Sequence, residues 1–380
     1  MTNIPFVKPF INKSDLISAI NSIDINNFGG LGPISSKLEK YFEKTLKVKK
    51  ALMVGSCTDA LEISLYALDL QKNDEIICPG YTFVSPINSI IKAGGKAIFV
   101  DIEEKTFGLN PKLVEKAINN KTKAVLLVHY GGIPARVEDI KRICEKYNLK
   151  LIEDAAQAFL VKKHNKFVGT FGDIGCFSFH NTKNITSGEG GLLVINRNNK
   201  KLINICEEIR SFGTNKDAFT RGEVNIYEWQ RIGGSYFATD IEALLINIQL
   251  QKYKKILFHR RRVYKTYLKY LDELKICGVK LCDHPSNSNY HLFWILCRSK
   301  EEREILLKIL KAKGVCSSSH FPTLHLSPFV RGNKKMFMLG SDLNISTSIS
   351  EKILRLPIYP QLKENEIKYI SLIILDFYKR

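Results

Sequence analysis

The sequence predicts an α/β fold: a mostly parallel sheet between two layers of helices, followed by a smaller α/β domain. Three observations carry this reading. Short apolar runs alternate with helical patterns through the first two-thirds of the 380-residue chain, the rhythm of parallel strands joined by crossover helices. The run Ala124–Val128 is apolar throughout, as a strand covered on both faces requires. Polar residues with reactive side chains follow several apolar runs, at the carboxyl ends of the expected strands, where open α/β sheets bind ligands.

The elements follow in order. Gly55-Ser56-Cys57-Thr58 precedes a helix expected over Asp59–Leu68, with Leu61, Leu65 and Leu68 on one face. Ile76–Cys78 reads as a short strand ended by Pro79-Gly80. A helix over Pro86–Ala93 leads to a buried strand, Ala97–Val100, closed by Asp101. Pro111 opens a helix to Ile118 at a first-turn position, where its missing N–H costs nothing. The strand Ala124–His129, the helix Val137–Tyr147 and the strand Leu149–Ile152 continue the alternation. An apolar strand then runs into Cys176–Phe179, and Gly188-Glu189-Gly190-Gly191 opens the next. Thr239-Asp240-Ile241-Glu242 is a capping box. The helix it starts continues, with a break, to about Leu274 and reads as the connector between a large domain (1–250) and a small one (251–380). The small domain is expected to contain a strand His291–Cys297, a helix Glu301–Ala312 and a terminal helix Glu364–Phe377.

Composition narrows the class. Hydrophobic residues at 44% and charged residues at 25% describe an ordinary globular protein. No apolar run reaches the length of a membrane span. Met1–Phe6 shows no basic stretch followed by an apolar one, so no signal peptide is read there, and a cytoplasmic protein with no membrane partner is expected. The nine cysteines are scattered, odd in number and without paired metal-ligand spacing, which fits reduced, mostly buried thiols. The formal charge of +19 admits nucleic-acid binding, with a steep salt dependence as its signature. The excess is spread over the chain, however, and its densest cluster, His259-Arg260-Arg261-Arg262, falls in the connector helix. The reading adopted is a lysine-rich solvated surface with no nucleic-acid partner, able to attract a phosphate-bearing substrate.

Lys183 is the most informative residue. It sits in a short polar turn between an apolar strand and a glycine-rich turn, while the strand Leu149–Ile152 runs into Glu153-Asp154-Ala155-Ala156-Gln157. An amine and a carboxylate at the ends of neighbouring strands are the pair that pyridoxal phosphate needs: the amine forms a Schiff base, and the carboxylate keeps the ring nitrogen protonated. Gly55-Ser56-Cys57-Thr58 offers backbone N–H groups and a hydroxyl at a helix start, an anion cup or an ordinary N-cap. Ser178 adds a hydroxyl to the same phosphate or is simply a polar strand residue. Asp154 also suits an N-cap, Gln157 the surface, Lys183 the solvent, and Phe83 either the core or an aromatic stack. His320 and His325 lack the nearby carboxylates of a metal site, and no metal is expected; contact with a polar substrate is the preferred reading. Joint placement on one sheet edge raises this set above its members.

These residues resemble the DegT/DnrJ/EryC1/StrS family of sugar aminotransferases, from Ile4-Pro5-Phe6 to Leu356-Pro357. The most specific segments are Ser56-Cys57-Thr58, Tyr81-Thr82-Phe83-Val84-Ser85, Val128-His129-Tyr130, Glu153–Gln157, Phe177-Ser178-Phe179-His180 with Thr182-Lys183-Asn184, and Gly213-Thr214-Asn215. The resemblance implies an aspartate aminotransferase-like fold (PLP fold type I). It implies Lys183 as covalent anchor, Asp154 on the pyridinium nitrogen, Gln157 near the ring hydroxyl, Phe83 on the ring face, and Ser56, Cys57 and Ser178 on the phosphate. His180, His320 and His325 are then the residues expected to meet substrate. It also implies a homodimer with shared active sites. Many members supply an asparagine from the partner in a Gly-Tyr-Asn-x-Arg stretch; here Gly233-Gly234-Ser235-Tyr236-Phe237 leaves Ser235 or Tyr236 to substitute. Dehydratase relatives replace the lysine by histidine, so Lys183 implies transamination. The implied donor is glutamate and the implied acceptor a nucleotide-linked keto-deoxy sugar, a dTDP-4-keto-6-deoxyhexose. A 3-amino transfer and a non-catalytic pyridoxal-phosphate protein stay open as alternatives.

Overall fold

Short runs of branched and aromatic residues form the strands: β1 (Lys50–Val54), β2 (Glu75–Pro79), β3 (Lys96–Val100), β4 (Thr122–Val128), β5 (Lys150–Asp154), the short β6 (Lys162–Lys163) and β7 (Lys166–Phe167), β8 (Ile174–Ser178), β9 (Gly191–Ile195), β10 (Lys280–Leu281), β11 (Phe293–Leu296), β12 (Phe337–Leu339) and β13 (Ile353–Leu356). The computed structural model describes residues 3–26 and 29–379. Met1 and Thr2, part of the stretch read above for a signal peptide, lie outside them. Eight strands form one sheet in the order β1-β9-β8-β5-β4-β2-β3-β12. Only β9 runs against the others, being antiparallel to both neighbours. The expected α/β class with a mostly parallel sheet is therefore what the chain adopts.

Alternate side chains of each strand enter opposite cores. Ala51, Met53, Ile77, Val125, Leu127, Leu151 and Val194 pack in one. Leu52, Val54, Ile76, Cys78, Leu126, Ile152 and Leu193 pack in the other. A third core is built around the three-stranded sheet β10-β11-β13 and the C-terminal helices. It takes in Tyr81, Phe107 and Tyr130 of the large-sheet region, so the two parts share packed apolar surface.

The capping box and the broken helix expected after it are both present. Thr239 and Glu242 exchange capping-box bonds, and helices Asp240–Gln251 and Tyr253–Leu271 meet at a break at Lys252. The sequence reading omitted helices Lys13–Asn21 and Pro33–Leu46, strand β1, and β12, which extends the large sheet beside β3 although it lies far along the chain. Asp101 joins the two regions. Its carboxylate accepts from Ile345 N (2.8 Å) and Ser346 N (2.8 Å), capping the helix Asn344–Lys352 from the end of β3.

Candidate active site

The carboxyl ends of β4, β5 and β8 and the start of the helix Cys57–Tyr66 surround one cavity of about 340 Å³. Ser56, Cys57, Phe83, Asp154, Gln157, Ser178, His180, Lys183 and His320 all line it. Strand register brings them together: Val128 pairs with Asp154, Asp154 with Cys176, and Ser178 with Gly191.

Ser56 caps the Cys57–Tyr66 helix, its Oγ accepting from Asp59 N at 3.0 Å. The first-turn N–H groups of Cys57 and Thr58, beyond reach of any helix carbonyl, belong to residues that line the cavity. Gly191 lets this turn approach the sheet. A Cβ there would sit 2.3 Å from Ser56 C and 2.6 Å from Cys57 N.

Glu153 and Asp154, adjacent on β5, point to opposite sides of the sheet. Glu153 is fully buried and accepts from Gly169 N (2.7 Å), Phe171 N (2.6 Å) and Gly172 N (2.6 Å). His129 lies 3.0 Å away through Nε2, while its Nδ1 accepts from Ala135 N. The ring proton is thereby assigned to Nε2 and donated to Glu153. Glu153 thus holds the loop before β8 and orients His129 on the cavity wall. Replacing Glu153 with alanine orphans three buried N–H groups and is expected to cost about 3 kcal/mol or more, read as a lower urea midpoint with an unchanged slope.

Asp154 faces the cavity. Ala156 N donates to its Oδ1 at 3.0 Å. Burial raises its carboxyl pKa, opposed by the Ala156 N–H, Lys183 and His129. Burial likewise lowers the Lys183 amine, while Cys57 and Asp154 favour its cation. Burial also raises the Cys57 thiol well above its usual value, with Asp154 adding to the effect. The Lys183 turn is pinned from both sides. Lys183 N donates to His180 O (2.9 Å), and Asn184 donates to Asn289 O (2.7 Å) and accepts from His291 Nδ1 (3.0 Å). Gln249 of the connector brackets Thr186.

Gln157 Oε1 accepts from Gly131 N at 2.6 Å, which leaves its Nε2 to donate elsewhere. Phe83 is half exposed at the cavity rim, its ring centroid 5.6 Å from that of Phe321. His180 Nδ1 accepts from Thr182 N, and its Nε2 lies 3.6 Å from Glu189. His320 Nδ1 accepts from Arg355 Nη1. A guanidinium can only donate, so this imidazole is neutral; burial and then Arg355 push its pKa down to about 2.

Two named residues stand apart from the cavity. His325 lies in the single turn Leu324–Leu326, its Nδ1 buried without a partner, and is not part of the lining. Ser235 bridges to Ser211 and does not line this chain's own cavity; a role contributed to a partner subunit is not one a single chain displays. Conversely, the sequence reading gave no role to Phe6, His129 and Tyr130, which it quoted only within longer segments, nor to His291, quoted only as a strand start, and did not name Arg355; all five line the cavity. Arg355 carried a signal: it is the one charged residue in the apolar run Ile353-Leu354-Arg355-Leu356. Among the described residues no cluster of three His, Cys, Asp or Glu stands close enough to hold a metal ion, and no helix is long and apolar enough to cross a membrane.

The family model of the DegT/DnrJ/EryC1/StrS aminotransferases matches residues 11–374. The uncharacterized protein MJ1066 of Methanocaldococcus jannaschii is 32% identical over 373 residues, covering 96% of this chain and 95% of that protein. The putative sugar aminotransferase Spr1654 from Streptococcus pneumoniae, in its PMP form, superposes with a TM-score of 0.90 at 23% identity, covering 100% of this chain and 98% of its own. NtdA from Bacillus subtilis with bound cofactor PMP superposes with a TM-score of 0.89 at 25% identity, covering 100% of this chain and 86% of its own.

Proposed function

This chain belongs to the DegT/DnrJ/EryC1/StrS aminotransferase family, and we propose that it is a pyridoxal-phosphate-dependent enzyme that moves an amino group from glutamate to a nucleotide-linked keto-deoxy sugar. The observation that carries this is the meeting of the Lys183 amine and the Asp154 carboxylate in one cavity, close enough for each to bias the other's ionisation.

The residues present fit the cofactor. A helix start with free N–H groups and two hydroxyls suits a phosphate, and a buried carboxylate suits a cationic ring nitrogen. A half-exposed aromatic ring at the rim suits a stacked heterocycle. Bound pyridoxal phosphate supplies an electron-withdrawing ring that allows a proton to leave the α-carbon of an amino acid. Ser56, Cys57 and Ser178 would hold its phosphate, Phe83 would cover its face, and Asp154 would keep its ring nitrogen charged. Gln157, fixed by Gly131, would serve the ring hydroxyl. Lys183 is the covalent anchor. When not engaged as anchor, the same nitrogen would take a proton from the donor carbon and return one, as base and then acid. Desolvation favours its neutral, nucleophilic form. His180 and His320 meet the substrates from the rim.

The acceptor proposed is dTDP-4-keto-6-deoxy-D-glucose, giving dTDP-4-amino-4,6-dideoxy-D-galactose. Incubation of the loaded protein with glutamate and this sugar, followed by mass spectrometry and NMR, tests it; an amino group at C3 overturns the regiochemistry. The working unit proposed is a homodimer in which the partner's 213–235 segment, carrying Ser235, completes the site. Its exposed apolar side chains support this: Ile226 is 64%, Trp229 76% and Ile232 85% exposed, and such side chains suit burial against a partner.

Gly191→Ala probes the phosphate cup. The added methyl collides with backbone, which cannot rotate away, so cofactor affinity is expected to fall about tenfold or more. Titration of the absorbance of bound pyridoxal phosphate measures it, with β9 pairing checked by circular dichroism.

A further inference from the structure

His291 stands just ahead of β11, buried, and lines the cavity. Its main chain is fixed from one side by Arg260, which donates to the carbonyls of Tyr290 (3.0 Å) and His291 (2.6 Å). Its ring is fixed from the other side by Asn184. The Asn184 amide donates to Asn289 O (2.7 Å) through Nδ2, so its acceptor Oδ1 is the atom that faces His291 Nδ1 at 3.0 Å. Nδ1 is thereby assigned the ring proton. A second proton, on Nε2, would make an imidazolium, which burial and the cations Lys183, Arg260 and Arg355 oppose. Arg260 is taken up by its two carbonyls, while Arg355 donates to His320 and pairs with no carboxylate among the described residues. Nε2 of His291 is left with a lone pair and no hydrogen-bond partner among the described residues. The other imidazoles on the cavity wall have the opposite character. His129 donates from Nε2 to Glu153. His180 and His320 each accept at Nδ1, from Thr182 N and from Arg355, so each carries its proton on Nε2. Among them His291 alone presents an acceptor, and a buried acceptor is costly unless a donor reaches it.

We propose that His291 Nε2 accepts a hydrogen bond from a hydroxyl on the carbon next to the sugar's carbonyl, so that the enzyme selects an α-hydroxy ketone as its amino acceptor. The inference rests on the aminotransferase reading above and sets a requirement on its acceptor. The ring is held by Asn184, the residue that follows Lys183, and both His291 and Lys183 line the one cavity. The group that meets Nε2 therefore belongs to the reacting carbon or to a neighbour of it. The carbonyl oxygen on the reacting carbon cannot donate. The α-carbon of the amino donor bears a carboxylate and a methylene; the first is repelled by a lone pair and the second has no polar hydrogen. A hydroxyl beside the carbonyl does donate, and C3 of a 4-keto-6-deoxyhexose bears one. The lone pair thus favours the acceptor over the donor at the position where both must bring their reacting carbon.

The test compares dTDP-4-keto-6-deoxy-D-glucose with its 3-deoxy counterpart, each added to the pyridoxamine phosphate form of the wild type and of His291→Phe. The wild type is expected to aminate the hydroxy ketone about 100-fold faster than the deoxy ketone, as second-order rate constants. His291→Phe should bring the two within about threefold of each other by slowing the hydroxy ketone alone, and should leave the glutamate half-reaction within about threefold of wild type. A second measurement needs no variant: in titration calorimetry the cofactor-free wild type is expected to bind the hydroxy ketone about tenfold more tightly than the deoxy ketone. Equal rates and equal affinities for the two ketones on the wild type overturn the proposal. So does a His291→Phe protein that keeps the discrimination, or one that slows glutamate and both ketones alike, which assigns His291 to holding the Lys183 turn. A wild type with no glutamate half-reaction removes the aminotransferase reading instead. The ketone affinities of the cofactor-free protein read His291 without that half-reaction, so the two readings fail separately.

Discussion

Lys183→Ala is expected to slow amino transfer from glutamate by on the order of 10⁴-fold or more while leaving the fold in place. The size follows from two duties on one nitrogen. As the proposed anchor it would present the cofactor in an activated form; as the proposed base and acid it would carry the proton to and from the donor carbon. No neighbouring side chain is free to replace it. Cys57 is held as a neutral thiol by burial, His291 is pushed well below its usual range by burial and the surrounding cations, and Asp154 is expected to be occupied at the ring nitrogen. The fold should survive because the turn is fixed by Asn184, Thr186 and the Lys183 main chain rather than by the lysine side chain. Absorbance during a glutamate half-reaction gives the rate, and borohydride reduction followed by peptide mass gives the anchor. A variant that still transfers amino groups within about tenfold of wild type, or a wild-type tag on another lysine, removes Lys183 from the mechanism.

The parts of this molecule that were legible in the sequence are those in which local pattern and chemistry coincide. β4 and β5 show as apolar runs because both faces of the sheet are covered, and the Thr239 capping box shows because its two bonds lie three residues apart. The strand-end positions of Asp154 and Lys183 followed from those runs, and with them most of the cavity. What escaped depends on distant partners. β12 is three residues long and owes its place to β3, more than 230 residues earlier. Glu153 resembles any strand-end carboxylate until the loop donors at Gly169, Phe171 and Gly172 are seen converging on it. Arg355 meets Phe6 and His320 only after β13 is docked, so its want of a carboxylate is a tertiary fact. His325, five residues from His320, is turned out of the cavity by the single turn at Leu324–Leu326, a rotation that sequence spacing does not report.

Asp154→Asn is expected to show the opposite sign in stability and in function. The folded carboxyl has a raised pKa, chiefly through burial. A carboxyl raised in the folded state is more readily ionised in the unfolded chain, so at neutral pH its ionisation weakens the fold, and that cost fades as pH falls through the folded value. Asparagine fills the same space, keeps an oxygen for the Ala156 N–H and carries no charge. The cofactor-free variant should therefore melt at or above the wild-type temperature at pH 7, and the difference should shrink toward acid pH. Function moves the other way. A neutral amide cannot hold a proton on the ring nitrogen, and the developing negative charge loses its electrostatic sink. The glutamate half-reaction is expected to fall by about 10²–10³-fold, with cofactor affinity reduced less. Glu153→Ala, one residue along the same strand, should do the reverse, losing stability in the absence of any cofactor. A cofactor-free Asp154→Asn protein that melts well below wild type would instead assign Asp154 a structural role like that of its neighbour. A half-reaction within about tenfold of wild type would take it off the ring nitrogen.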